Sequence, residues 1–218
     1  MYKTLRAALC VAVLFCFTTH AQNDFWLQKG DLLFQANEPS QLANAIEGAG
    51  KGYNNYAFSH VGIVNIEGAD TVVIEAVPKY GVRIVSLQTF LADSQKDKSG
   101  KPLVCVGRLL PQYESVIEQS VNRAAALAGK AYNNSFLPNT GAYYCSELVF
   151  ECFLDANGSS VFTSSAMSFK DKETNEFYLA WVEFFSQLDM PIPEGVVGTN
   201  PNDMSNDKAI KIVYCFGK

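Results

Sequence analysis

The chain has 218 residues, 48% of them apolar, and 22 acidic against 17 basic side chains give it a net charge of −5. That length suits one domain with a full core, and an acidic balance without a basic run excludes the electrostatic footprint of a nucleic-acid binder. Met1 to Ala21 reads as a secretory leader, with Lys3 and Arg6 at its start, an apolar run from Ala7 to Phe17 and a small-residue cleavage site at Thr19-His20-Ala21. The run is too short to span a bilayer, which takes about 20 residues. The expectation is an exported protein, periplasmic or secreted, with no stable transmembrane anchor and with residues 22–218 forming a single domain.

In chain order, Gly30 to Gln35 (GDLLFQ) reads as a turn into a short buried strand, followed by a polar stretch over 36–57 with one short helix around Gln41 to Ile46. Ser59 to Ile66 (SHVGIVNI) and Thr71 to Val77 (TVVIEAV) form a hairpin across the four residues Glu67 to Asp70. Gly81 to Leu87 and Leu103 to Leu109 add β-branched runs, with a short helix near Gln88 to Ala92 and a lysine-rich solvated loop at 94–101. Apolar residues from Tyr113 to Ala128 recur at helical spacing, so 112–128 predicts an amphipathic helix ending at Gly129. Further helices are expected from Cys145 to about Asn157 and over 175–188. After them comes a long ordered loop or lid, Pro191 to Asn206, and a closing strand, Ala209 to Phe216. Strands first and helices later indicate an α+β fold.

Two residues carry the chemistry. Once the leader is removed His60 is the one histidine left, and Cys145 stands at the start of a helix, where unsatisfied backbone N–H groups favour a thiolate and can hold an oxyanion. Cys145 also falls on the apolar stripe with Leu148 and Cys152, so plain packing is the competing explanation. If Ile66 pairs with Thr71, His60 and Glu75 become diagonal neighbours on one face, about 7–8 Å apart at the backbone, and Glu75 can orient the imidazole as the third member of a triad. The competing reading of Glu75 is a solvent-facing residue on an edge strand. Glu147 is a first-turn acid that complements the helix dipole. Cys105 and Cys215 lie in strand-like runs, either as buried free thiols or bridged to each other. Without a CxxC pair, and with one histidine, neither a metal nor another cofactor is expected. Leu137-Pro138-Asn139-Thr140-Gly141 matches a sortase sorting pentapeptide, but it lies mid-chain with no terminal apolar span after it.

The segments GDLLFQ, FSHVGIV, VIEAV followed by GV, YNNSF, YYCSELVFECF and PEGVVGTNPNDMS together resemble the YaeF/YiiX group of circularly permuted papain-like enzymes, relatives of the NlpC-type cell-wall peptidases. The resemblance implies a permuted papain-like fold, an antiparallel sheet or barrel packed against helices, with the nucleophile at a helix N-terminus. It carries the nucleophile onto Cys145, the general base onto His60 and the orienting group onto Glu75, with histidine and glutamate preceding the cysteine. Tyr144 and Gln35 occupy motif positions as candidate substrate or oxyanion contacts. Asn133 and Asn134 depart from the family pattern, which favours aspartate there. The implied activity is a cysteine amidase or peptidase acting through an acyl-enzyme on cell-wall peptide or a related small amide. The alternatives are a lipid acyltransferase or esterase/thioesterase with the same triad, or a catalytically silent binding protein.

Overall fold

The computed structural model describes residues 25–48, 50–171 and 173–217. The expected leader, with Cys10, Cys16 and His20, lies outside the described residues. Among the described residues no helix is long and apolar enough to cross a membrane.

Among the described residues eight strands are formed: β1 Leu32–Gln35, β2 His60–Glu67, β3 Asp70–Val77, β4 Gly81–Ser86, β5 Val104–Leu109, β6 Ser165–Ala166, β7 Val197–Gly198 and β8 Ile210–Cys215. Six of them make one antiparallel sheet in the order β4-β3-β2-β1-β5-β8, and β6 pairs with β7 in a separate ribbon. The helices are α1 Gln41–Gly48, α2 Leu87–Ala92, α3 Ile117–Ala126, α4 Cys145–Cys152, α5 Leu179–Gln187 and α6 Pro201–Ser205. The large sheet is open, with β4 and β8 at its edges, and does not close into a barrel.

Strand alternation divides the core between the two faces of this sheet. Leu32, Phe34, Val61, Ile63, Ile74 and Ala76 pack with Val121 and Ala124 of α3 and with Leu148 and Val149 of α4. Leu33, Val64, Val73, Val104 and Val106 lie on the other side with Phe90 of α2. Gly62 is what lets α2 sit close, because a Cβ there would meet Val73 Cγ1 at 2.5 Å and the Phe90 ring at 2.8 Å. Phe90 consequently lies with its ring centroid 5.7 Å from that of His60.

The β2–β3 register has Ile66 opposite Thr71, as the apolar pattern requires. The connection is tighter than the expected four residues: Glu67 pairs with Asp70, so only Gly68 and Ala69 turn, and Gly68 takes φ +64. A positive φ at the first central residue is what a type II′ hairpin turn requires of glycine.

Several expected helices are shorter. Residues 112–128 divide into a 3-10 turn, Pro111–Val116, and α3, because Pro111 starts a tight turn before the regular spacing begins. Ala128 is exposed, off the buried stripe. Helix α4 stops at Cys152, well before Asn157, where buried Phe153 leaves helical geometry and Asp155 Oδ1 accepts from the N–H groups of Asn157 and Ser159. Similarly, Asp171 Oδ1 accepts from the N–H groups of Glu173 and Thr174, and α5 starts only at Leu179. The segment 191–206 is not all loop, since β7 and α6 lie within it.

Cys105 and Cys215 are direct partners of β5 and β8 and form a disulfide, closing 110 residues of sequence. Such a cross-link contributes about 2–5 kcal/mol. The double variant Cys105→Ala/Cys215→Ala is expected to lose that amount of unfolding free energy, read from urea titration.

Candidate active site

The site lies at the end of the sheet where β1 finishes, β2 begins and β3 finishes. His60 is the first residue of β2 and Cys145 the first of α4, a helix that packs on β2 and β3. Both side chains are nearly enclosed, each residue 4% exposed. Glu75 is 2% exposed on β3, an interior strand, which overturns its reading as a solvent-facing edge residue.

His60 Nε2 lies 2.6 Å from Glu75 Oε2, which leaves Nδ1 as the ring nitrogen available to the Cys145 thiol, and His60 and Cys145 line one cavity. The other carboxylate oxygen of Glu75 accepts from Arg83 Nε at 2.8 Å and forms an ion pair with Nη2 at 2.7 Å. Burial works against a charged imidazole here, yet the hydrogen bonds and negative charges of Cys145 and Glu75 outweigh it and push His60 up to about 10. For Glu75, burial works against the carboxylate, and His60 and Arg83 together hold its pKa below the ordinary value.

Helix α4 is held at its head by a second polar group. Glu147 Oε2 accepts from the Tyr144 N–H at 3.1 Å and from Asn133 Nδ2 at 2.9 Å. Burial raises the Glu147 pKa in spite of these bonds. Asn133 also donates to the Leu137 carbonyl and accepts from Ser135. An aspartate at 133 would set two carboxylates against each other, so the asparagine suits a loop tied to Glu147. Glu147 is thus more than a dipole partner: it anchors the residue before Cys145. The N–H groups of Cys145 and Ser146, in the first turn, have no intrahelical acceptor and supply the donors an oxyanion needs.

Tyr144 and Gln35 are placed differently. The Tyr144 hydroxyl accepts from the Thr199 N–H at 3.1 Å, and its ring stands against Phe136, 5.1 Å between centroids. Gln35 is the cross-strand partner of His60, with its Nε2 donating to the Phe90 carbonyl at 2.6 Å. That donor is committed to fastening α2. The sequence reading passed over Arg83, although carrying the hairpin register one strand further sets it opposite Glu75, and a buried carboxylate demands such a partner.

Cys145 stands between two cavities. One of about 170 Å³ is walled by Tyr132, Phe136, Met167, Phe169 and Trp181. The other, about 140 Å³, is lined by His60 with Asn37, Ser40 and Ser59. Among the described residues no group of three or more His, Cys, Asp and Glu side chains is placed to hold a metal ion. The second free thiol, Cys152, is inert by contrast. Burial, opposed by Arg123 and reinforced by Glu151, pushes it up to about 12. Iodoacetamide at about pH 7 is therefore expected to modify Cys145 and leave Cys152 untouched, as peptide mapping by mass spectrometry would show.

Comparison with known proteins agrees with this architecture. Residues 26–214 match the family model described as the permuted papain-like amidase enzyme, YaeF/YiiX, C92 family. The uncharacterized protein YiiX of Escherichia coli (strain K12) is 31% identical over 134 residues, which cover 62% of this chain and 61% of that protein. The matched part thus spans about three fifths of the curated relative's length. A crystal structure of the metalloprotein yiiX from Escherichia coli O157:H7 superposes with a TM-score of 0.68 at 24% identity, covering 88% of this chain and 98% of that one, a likeness of fold. With its sheet, its helices and a family match over nearly all of its described residues, the chain belongs to the YaeF/YiiX family of permuted papain-like amidases.

Proposed function

We propose that the protein is a cysteine amidase in which Cys145 is the nucleophile, His60 the general acid and base, and Glu75 the orienting carboxylate. The observation that carries this reading is a buried His60 bonded through Nε2 to Glu75 and lining one cavity with Cys145, a thiol at the head of a helix. The thiolate attacks the amide carbonyl, and the oxyanion forms against the first-turn N–H groups of α4. The imidazolium then gives its Nδ1 proton to the departing amine, leaving a thioester on Cys145. Water, losing a proton to Nδ1, releases the carboxylic acid and restores the thiol.

The cavities support a polarity for the substrate. The leaving amine must lie beside the proton donor, in the cavity lined by His60, and the acyl part on the other side of Cys145. Cell-wall peptide or a related small amide remains the proposed substrate class, by family analogy. The aromatic and apolar walls of the acyl-side cavity favour a second reading, acyl transfer or ester hydrolysis on a lipid, since they fit an apolar acyl group better than a peptide carboxylate. Export is proposed on two grounds: the leader-like residues 1–21, and the Cys105–Cys215 bridge, which persists in an oxidising compartment.

The test incubates wild type and Cys145→Ala with defined cell-wall peptides and with acyl amides and esters, and identifies products by mass spectrometry. Cleavage of amides that vanishes in the variant supports the amidase. Turnover of acyl esters alone moves the assignment to the lipid reading, and turnover unaffected by the substitution refutes both.

A further inference from the structure

Arg83 stands on the edge strand β4, directly opposite Glu75, and its side chain is 24% exposed. Its hydrogen bond to Glu75, from Nε, and its ion-pair contact, from Nη2, both fall on Oε1. Oε2 is thereby left for His60. The guanidinium is itself fixed on its outer side, with its carbon 4.9 Å from the centre of the Tyr80 ring and Nη2 3.5 Å from Asp93 Oδ2. A carboxylate this deeply enclosed carries its charge only with a partner, and its terminal torsion is otherwise broad. A planar guanidinium supplies what a lysine ammonium does not, a donor and its charge spread over nitrogens fixed in one plane against a single oxygen. From Glu75 outward the charges alternate: the Glu75 carboxylate, the Arg83 guanidinium and the Asp93 carboxylate.

We propose that Arg83 is a positioning residue of the active site, holding the Glu75 carboxylate so that one oxygen always faces His60 Nε2. The proposal rests on the triad reading above. Arg83 touches no reacting atom; it acts through Glu75 on the ring, and through the ring on the state of the Cys145 sulfur. It also lines an open recess with Lys79, Tyr80 and Asp93, so a small cation from solvent can reach the space that its removal would leave.

The test follows alkylation of Cys145 by iodoacetamide across pH in the full chain, for wild type, Arg83→Gln, Arg83→Lys, Arg83→Ala and His60→Ala, with thermal melts to verify folding. Arg83→Gln is expected to slow labelling near neutrality by on the order of tenfold and to move the acid-side rise of the profile to higher pH. Arg83→Lys should fall between Arg83→Gln and wild type, and it carries the comparison should Arg83→Gln melt below the assay temperature. Low concentrations of guanidinium ion should restore the Arg83→Ala rate and leave His60→Ala unchanged. A merely structural arginine gives no such rescue, because a denaturing cation does not repair a weakened fold. Arg83 profiles coincident with wild type, alongside a slowed His60→Ala, would overturn the positioning role and leave the triad standing. A His60→Ala profile coincident with wild type would sink the triad, and the role of Arg83 with it.

Discussion

His60→Ala is expected to lower kcat for the best amide substrate by on the order of 10⁴-fold or more while KM changes little, and Cys145→Ala to do at least as much. The two effects have one origin. Without the ring the thiol has no acceptor for its proton, and the departing amine has no donor. Without the sulfur there is no thioester, and the ring has only water to activate. The double variant is therefore expected to be no slower than the worse single one, since groups that act as a unit do not contribute additively. KM is expected to be spared because the aromatic walls proposed to hold the acyl part, Phe136, Phe169 and Trp181, keep their packing on one another in both variants. Steady-state kinetics on the single and double variants decide this. A double variant slower by the product of the two single losses would mean that Cys145 and His60 work independently and would overturn the proposed pairing.

How much of this could be read from the chain depends on how local each feature is. The His60–Glu75 pairing was legible because a hairpin register is fixed by alternation and turn length, and slipping it by one residue would expose a whole apolar face. The two-residue turn at Gly68-Ala69 was less so, since a glycine there fits either loop length. Cys145 at a helix head was legible from the apolar periodicity that follows it, whereas the end of that helix was not. Phe153 continues the stripe yet leaves the helix to be buried against Phe162, 5.9 Å between ring centroids. Tertiary packing overrode the local pattern. Arg83 and Asn133 were the harder cases. Each is an ordinary polar residue in its own segment and acquires a role only through a buried carboxylate elsewhere in the chain, Glu75 for one and Glu147 for the other. The Cys105–Cys215 bridge was an open alternative because strand order, which sets β8 beside β5, is not written in either strand.

Glu75→Gln is expected to reduce kcat by about 10²- to 10⁴-fold, although the side chain keeps its shape. The reason lies in which end of the amide faces the ring. Arg83 offers only donors, so it selects the amide oxygen and turns the NH₂ group towards His60 Nε2. Facing a donor, Nε2 must carry a lone pair, which places the ring proton on Nδ1, the nitrogen that has to accept from the thiol. The wrong tautomer is thus enforced by the same contacts that fix the right one in the wild type, and an NMR titration of the His60 ring nitrogens should show the exchange. Stability follows with a defined sign. The wild-type Glu75 pKa lies below its ordinary 4.5, so its contribution is present above that value and fades as pH falls through the lowered one. His60 is raised from 6.5 to about 10, so its contribution is complete below 6.5 and is lost as pH rises towards 10. Both act together between about pH 4.5 and 6.5, where the variant loses the anion that His60 and Arg83 share and leaves the half-buried Arg83 without its partner, a loss of about 3 kcal/mol. Urea titrations of wild type and Glu75→Gln at about pH 6 and pH 10 should show the gap narrowing at the alkaline end; a gap that widened there would mean that the imidazolium and the carboxylate do not form a pair.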